Sequence, residues 1–399
     1  MASRADRSPL AQWLWTVDRK LLVSVLILMV IGLILSPAAS PPVAERIGAD
    51  TFHFVKRHAI FLIPTLVVLI GTSFLTPPQV RRVAAAVLFV SLLLMIATLF
   101  FGFEVKGARR WIQLPGFSMQ PSEFLKPAFV VICAWLFAEN VKRPDVPGNL
   151  FAVILLAMVV ALLVAQPDLG QTVLIVCAWG ALLFLAGISW RWISALAAFG
   201  LAGMVSAYFF FYHVALRINR FITGEGDNFQ TDRSIKAVVE GGWLGQGPGE
   251  GVVKRGLPDS HADFAFAVLA EEFGIVACLV VVALFAFVVL RALSHALTEP
   301  DPFPRLAVGG LTVLFGAQTF INIGVNLKML PAKGMTLPFL SYGGSSMIAV
   351  AFGMGMVLAL TRQRPDRRAS HRSVNDLHFT RGRQSDRPGM AGQQPAAAE

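Results

Sequence analysis

Asp259, His261 and Asp263 fall within the segment LPDSHADF, just after Lys254 and Arg255 and just before a long apolar run. A carboxylate at a water–lipid boundary, beside an apolar wall, has its pKa raised toward the range of a general base. Two carboxylates and an imidazole this close equally suit a divalent cation. The bland reading is that Asp263 only caps the following helix. The residues by themselves therefore point to an active site or an ion site, without choosing between them.

Three other stretches carry polar chemistry into apolar surroundings. In KGARRWIQLPGFSMQPSEFLKPA, Pro121 and Glu123 form an ordinary helix start, yet Glu123 and Lys126 lie three apart on one helix face at the membrane boundary. Ionisable groups at that depth are costly and are paired or functional. In AQPDLGQ, Pro167 and Gly170 make a tight turn, and Asp168 either caps the next helix or meets a cation such as Lys126 or Arg109. In NIGVNLKMLPAKGMTLPFLSYGGSS, Pro331, Pro338 and four glycines interrupt an apolar region. Irregular backbone at membrane depth is tolerated only against protein or a watery cavity, so this reads as a re-entrant piece lining a groove. The glycine-rich GGWLGQGPGEG lacks the Gly-Lys-Ser/Thr ending of a phosphate loop, and so reads as a sharp turn or a close backbone approach.

What must position these groups is a membrane scaffold. The chain has 399 residues, 55% hydrophobic and 15% charged, with mean hydropathy +0.65, whereas soluble domains carry about 25% charged residues. Ten apolar runs, at about 21–36, 58–75, 83–103, 124–138, 150–165, 171–188, 192–212, 264–293, 306–326 and 342–361, predict an all-α polytopic membrane protein of about ten transmembrane helices. Residues 1–20 read as an N-terminal arm, 21–362 as the membrane domain with a large external loop at about 213–263, and 363–399 as a disordered, Arg-rich tail. Cys133, Cys177 and Cys278 fall inside apolar runs and read as small hydrophobes.

Ten spans put both termini on one side. The arm before the first helix usually dominates orientation, so both are expected in the cytoplasm, although Lys and Arg in the loops alone lean slightly the other way. The outer face is then unusually basic, with Lys106, Arg109, Arg110, Lys126, Arg217, Arg220, Lys254 and Arg255 converging there. An anionic ligand explains this, as does anchoring to lipid headgroups.

Taken together, GARRWI with QPSEFLK, QPDLG, the glycine-rich patch followed by LPDSHADF and AEEFG, and LPFLSYGGSS resemble the SEDS family (shape, elongation, division and sporulation proteins) over residues 15–362. PAKGMTLPFLSYGGSS, with Lys333 before Gly334, is more similar to the division branch than to the elongation branch. The resemblance implies a peptidoglycan glycosyltransferase of the bacterial inner membrane that polymerises lipid II on the outer face at the division site. It implies Asp263 as the general base for attack of the acceptor sugar 4-hydroxyl on the donor anomeric carbon, with undecaprenyl pyrophosphate leaving. Arg109, Arg110, Glu123, Lys126, Asp168, Lys254, His261, Lys333 and Ser341 become candidate substrate-binding residues, and a divalent cation, Mg or Mn, an expected cofactor. Expected partners are a class B penicillin-binding protein (a transpeptidase), other divisome proteins and membrane lipids, with no nucleic acid. Asp259 and Ala262 stand where the family often has Glu and Thr. A lipid II flippase and a non-catalytic scaffold are the rival readings.

Overall fold

The computed structural model of the chain describes residues 8–105, 108–114, 117–188, 190–210, 215–216, 219, 229–331 and 334–362. Two compact units emerge, Asp18–Thr361 and a smaller one from the residues outside that range. The smaller unit contains α1 (Pro9–Thr16), started by Ser8, whose hydroxyl accepts the Ala11 N–H at 3.3 Å.

In the larger unit the described part of each of the ten apolar runs falls mostly on a helix. In chain order the helices are α2 (Arg19–Ala39), the short α3 (Pro41–Arg46), α4 (His53–Ser73), α5 (Pro77–Phe101), α6 (Pro121–Lys142), α7 (Gly148–Ala165), α8 (Leu169–Leu185), α9 (Trp190–Phe210), the amphipathic α10 (Phe229–Gly241), α11 (Ala265–Thr298), α12 (Pro302–Asn326) and α13 (Gly344–Leu360). Among the described residues α2, α4, α5, α6, α7, α11 and α12 are long and apolar enough to cross a membrane, while α8 and α13 are apolar but shorter. The fold is an all-helical polytopic membrane protein. α6, α12 and α13 are its buried centre, and helices such as α4, α5 and α7 turn exposed Ile63, Val67, Phe89 and Ile154 outward, as a lipid-facing surface requires.

The starts of α4, α6, α8, α11 and α13 share one end of the bundle, where Arg57, Glu123, Asp168, Asp263 and Ser345 line a common space. The opposite end is tied by Asp18. Its Oδ1 caps α2 through the N–H groups of Lys20 and Leu21, and its Oδ2 receives Arg291 Nε at 2.8 Å and His295 Nε2 at 2.5 Å from α11. Burial pushes the Asp18 carboxyl up, but the hydrogen bonds from His295, the Leu21 N–H and Arg291 outweigh it and hold it well below the usual carboxylate range.

The loop between α5 and α6 adds a small antiparallel sheet that the apolar pattern did not announce: β1 (Phe103–Val105), β2 (Ala108–Leu114) and β3 (Phe117–Met119), in order β1-β2-β3. Strand alternation in β2 sends neighbouring side chains to opposite faces, and this separates Arg109 from Arg110.

The glycine-rich patch is a structural insert. α11 breaks at Gly274, which sits at φ 79° and ψ 178°. The N–H groups released there, on Ile275 and Val276, donate to the carbonyls of Gly242 and Trp243 at 2.9 and 3.2 Å. In return Gln246 and Gly247 donate to the carbonyls of Glu271 and Glu272 at 2.9 and 3.1 Å. The Glu271 carboxylate accepts the Val253 and Lys254 N–H groups at 2.6 and 2.8 Å, and Glu272 accepts the Gly249 N–H and pairs with the Lys254 ammonium. The close backbone approach expected of these glycines is thus an approach to protein. A Cβ on Gly245, at φ +81°, would lie 2.1 Å from the Glu272 carbonyl oxygen, whereas one on Gly249, at φ +90°, meets open space.

Gly245→Ala should therefore destabilise the protein by about 2–5 kcal/mol, combining left-handed strain with overpacking. Gly249→Ala should cost only about 1–2 kcal/mol, the strain alone. Unfolding midpoints in detergent compare the two, and equal effects would refute the insert as described.

Candidate functional site

A cavity of about 540 Å³ opens at the end of the bundle where α4, α6, α8, α11 and α13 start. Its wall includes Asp263, Asp259, His261, Arg110, Glu123 and Asp168, which the sequence pattern had singled out, and also Arg57, Phe61, Trp111, Phe117, Gln120, Gln230, Thr336, Ser345 and Ser346.

Asp263 is placed by its backbone. Its carbonyl accepts Nδ2 of Asn322 at 2.9 Å and Nδ2 of Asn326 at 3.0 Å, both from the last turns of α12. Asn326 Oδ1 in turn accepts the Ala267 N–H at 3.1 Å, and Asn322 Nδ2 also reaches the Met335 carbonyl at 2.6 Å. The turn before Asp263 closes on Asp259, whose carbonyl accepts the Ala262 and Asp263 N–H groups at 3.1 Å each. Tyr342 N–H donates to the His261 carbonyl at 2.9 Å, and Ser260 donates to the Ala39 carbonyl at 3.3 Å. Four segments therefore converge on one turn. Gln318, Asn322 and Asn326 are spaced four apart in an apolar run, a helical stripe of carboxamides that the sequence displayed and that went unread.

A second polar set crosses the bundle below this turn. Asp168 Oδ1 caps α8 at the Gln171 N–H (3.3 Å), while Oδ2 faces Arg110 Nη1 at 3.4 Å and Gln120 Nε2 at 3.1 Å. Both readings of Asp168 hold in one side chain, and its cation is Arg110, not Lys126 or Arg109. Burial pushes the Asp168 carboxyl up, with Arg110 opposing. Gln171 Nε2 donates to Glu123 at 2.7 Å, Glu123 pairs with Lys126 at 2.9 Å, and Lys126 donates to Gln318 at 3.2 Å, whose Nε2 reaches the Thr336 carbonyl at 3.1 Å. Arg110 is further held by the carbonyls of Gln166 and Pro167.

The remaining candidates lie elsewhere. Arg109 points to the other face of β2 and pairs with Glu104 at 3.4 Å, both half exposed. Lys126 faces a separate small apolar cavity with Leu311, Phe315 and Met354. Lys254 is buried against Glu272, where it holds the glycine-rich insert. Ser341 Oγ accepts the Leu337 N–H at 2.9 Å and closes its own turn. Lys333, like Lys106, Arg217 and Arg220, lies outside the described residues. His261 stands between Phe54, at 4.2 Å between ring centroids, and Tyr342, at 5.6 Å. Burial pulls its pKa down to about 4, with Asp259 opposing, so the ring is neutral at physiological pH.

Among the described residues no three His, Cys, Asp or Glu side chains gather as a metal site. The donor set therefore does not make a resident metal cage. Two carboxylates on an open cavity fit an ion that brings part of its own coordination shell, as Mg²⁺ does with phosphates and water.

A family model described as Cell cycle protein, covering FtsW, RodA and SpoVE, matches residues 19–366. The chain is 48% identical over 365 residues to a protein of Caulobacter vibrioides named Probable peptidoglycan glycosyltransferase FtsW, covering 91% of this chain and 94% of that one. Among solved structures it is similar to a chain from work on structural coordination of polymerization and crosslinking by a peptidoglycan synthase complex, at 26% identity and TM-score 0.72, covering 86% of this chain and 97% of that one. It is likewise similar to the Thermus thermophilus rod shape determining protein RodA, at 27% identity and TM-score 0.64, covering 86% and 96%. The expected placement in the division branch agrees with this FtsW relative.

Removing the Asn326 amide in Asn326→Ala should leave the Ala267 N–H without its partner and the Asp263 carbonyl held by Asn322 alone, at a cost of about 1–3 kcal/mol. Hydrogen–deuterium exchange should show faster exchange confined to residues 260–268, and unchanged protection there would refute the clamp. His261 binds fewer protons folded than unfolded between pH 6.5 and about 4. Its contribution is complete above pH 6.5 and is lost as pH falls toward 4. His261→Phe should flatten the fall of the unfolding midpoint across that window, and an unaltered pH profile would remove His261 as its source.

Proposed function

The chain belongs to the FtsW/RodA/SpoVE family of cell cycle proteins, and from that premise we propose that it is a peptidoglycan glycosyltransferase polymerising lipid II during cell division. The observation that carries this reading is the Asp263 carboxylate on a 540 Å³ cavity, on a turn gripped by two asparagines. The cavity is large enough for sugar and phosphate groups. Its wall combines aromatic rings, Phe61, Trp111 and Phe117, with the carboxylates Asp259 and Asp263. Such a combination suits a sugar that must be both stacked and deprotonated.

In the proposed reaction Asp263 takes the proton from the acceptor 4-hydroxyl as that oxygen bonds to the anomeric carbon of the donor. The bond from that carbon to the diphosphate oxygen breaks on the opposite face, and undecaprenyl pyrophosphate carries the electron pair away. One proton moves to Asp263 and one glycosidic bond replaces one phosphoester bond. A divalent cation, Mg or Mn, entering with the diphosphate and held by Asp259, would supply charge neutralisation for the leaving group. Asp168 and Glu123, tied to Arg110, Gln171 and Lys126, act as scaffold within the cavity wall.

The protein is a multi-pass inner-membrane protein. We place it at the division site with both termini in the cytoplasm. α2 then crosses outward from the Arg19–Lys20 end, which puts the cavity on the outer face, where lipid II presents its sugars. The proposed partner is a class B penicillin-binding protein, supported by the likeness to a chain of a peptidoglycan synthase complex, with other divisome proteins regulating the pair.

The test uses purified protein with a cognate class B transpeptidase, lipid II and Mg²⁺ in detergent, with glycan strands read on a gel. Asp263→Asn should lower polymerisation about 10²–10⁴-fold. Its fold should survive, because Asn322 and Asn326 hold the main-chain carbonyl and not the side chain. A folded Asp263→Asn protein that polymerises at the wild-type rate would sink the mechanism. A wild type that makes no strands with its partner would sink the activity and turn attention to lipid II translocation in vesicles.

A further inference from the structure

Resting on that reading, we propose that the diphosphate of the lipid substrate is bound by Arg57 and the first turn of α13, and not by Arg109, Arg110 or Lys126. Of the cations considered for this role, Arg109 is paired with Glu104, Arg110 with Asp168, and Lys126 with Glu123. Arg57 lines the large cavity, and among the described residues it has no ion-pair or hydrogen-bond partner.

The need for such a cation is clear from the charges around it. The described cavity wall carries four carboxylates, Glu123, Asp168, Asp259 and Asp263, against two guanidiniums. A diphosphate entering this space is repelled unless it meets a guanidinium not already neutralised by the protein. Arg57 answers that need, and its planar fork matches phosphate oxygens.

The neighbouring backbone adds donors. Phe61, one turn after Arg57 on α4, lies against Gly344, so closely that a Cβ there would come 2.9 Å from its ring. This contact sets the start of α13 on the same cavity wall as Arg57. α13 begins at Gly343 without a side-chain cap. The N–H groups of Gly344, Ser345 and Ser346 have no acceptor among the described residues, and the helix dipole there favours an anion. Ser345 is occupied by the Gln120 N–H at 3.3 Å, while Ser346 and Thr336 hydroxyls share a 3.0 Å hydrogen bond at the rim.

The test is binding of undecaprenyl diphosphate and undecaprenyl monophosphate to the full-length protein in detergent, alongside the polymerisation assay. Wild type should prefer the diphosphate. Arg57→Gln should weaken the diphosphate about ten- to a hundredfold with little effect on the monophosphate. Arg57→Lys should recover part of the loss, since charge returns without the fork. Arg110→Gln should lower the unfolding midpoint more than it changes diphosphate affinity. If folded Arg57→Gln binds the diphosphate within twofold of wild type, or Arg110→Gln alone abolishes binding without destabilising the protein, the assignment is wrong. Because binding is measured without turnover, a wild type that binds but never polymerises refutes the enzymatic reading and leaves Arg57 separately tested.

Discussion

Below the headgroup layer a charge must find its counter-charge inside the protein, and that constraint determines which ionisable groups of this chain are available for chemistry. Glu123 and Lys126 satisfy each other with Gln171 and Gln318. Asp168 is satisfied by Arg110 and Gln120. Glu271 is satisfied by backbone N–H groups of the glycine-rich insert, and Glu272 is paired through one oxygen with the Lys254 ammonium. Breaking such a pair leaves a buried charge uncompensated, at a cost of about 3–5 kcal/mol. Loss of function on replacing Lys126 or Asp168 would therefore be expected from folding alone, and would not by itself mark a substrate contact.

The same constraint explains the irregular backbone around the cavity. The break at Gly274 and the loop between α12 and α13 both leave peptide groups without helical partners at depth. At Gly274 the glycine-rich insert supplies them, carbonyl to N–H and N–H to carbonyl. At the second break Asn322 and Gln318 take up the Met335 and Thr336 carbonyls, and Ser341 takes up the Leu337 N–H. The start of α13 is the exception, with donors that the described protein leaves unmatched. An uncapped helix start on a cavity wall is tolerable where water or an anion supplies the acceptors.

Most of the architecture was legible in the sequence. Ten apolar runs became ten helices because a membrane-spanning segment must be apolar over most of its length. Asp263, His261, Arg110, Glu123 and Asp168 were visible as polar residues at the ends of such runs, and they share one cavity. Arg57 was not visible, because an arginine beginning an apolar run looks like any headgroup anchor, and only tertiary packing shows that its neighbours leave it unpaired. Arg109 and Arg110 are indistinguishable as letters, and the strand that separates them is too short to outweigh the surrounding helical pattern. Lys254 was misread as an outward-facing charge because its partner, Glu272, is buried 18 residues later, on the far side of a turn.

The positioning of Asp263 shows how these elements combine. Two routes can fix a carboxylate at a cavity wall: hold its oxygens, or hold its backbone. Asp168, Glu271 and Glu272 take the first route, with oxygens committed to N–H groups and cations. The base proposed at Asp263 would be poorly served by that arrangement, since hydrogen bonds to a carboxylate favour its charged form and weaken its basicity. At Asp263 the two asparagine amides act on the main-chain carbonyl, fixing the turn to α12 without drawing on the side chain. The backbone position of the turn is thereby set by Asn322 and Asn326 through the Asp263 main-chain carbonyl. This also gives the clamp a mutational signature of its own, because altering Asn322 or Asn326 moves the turn itself.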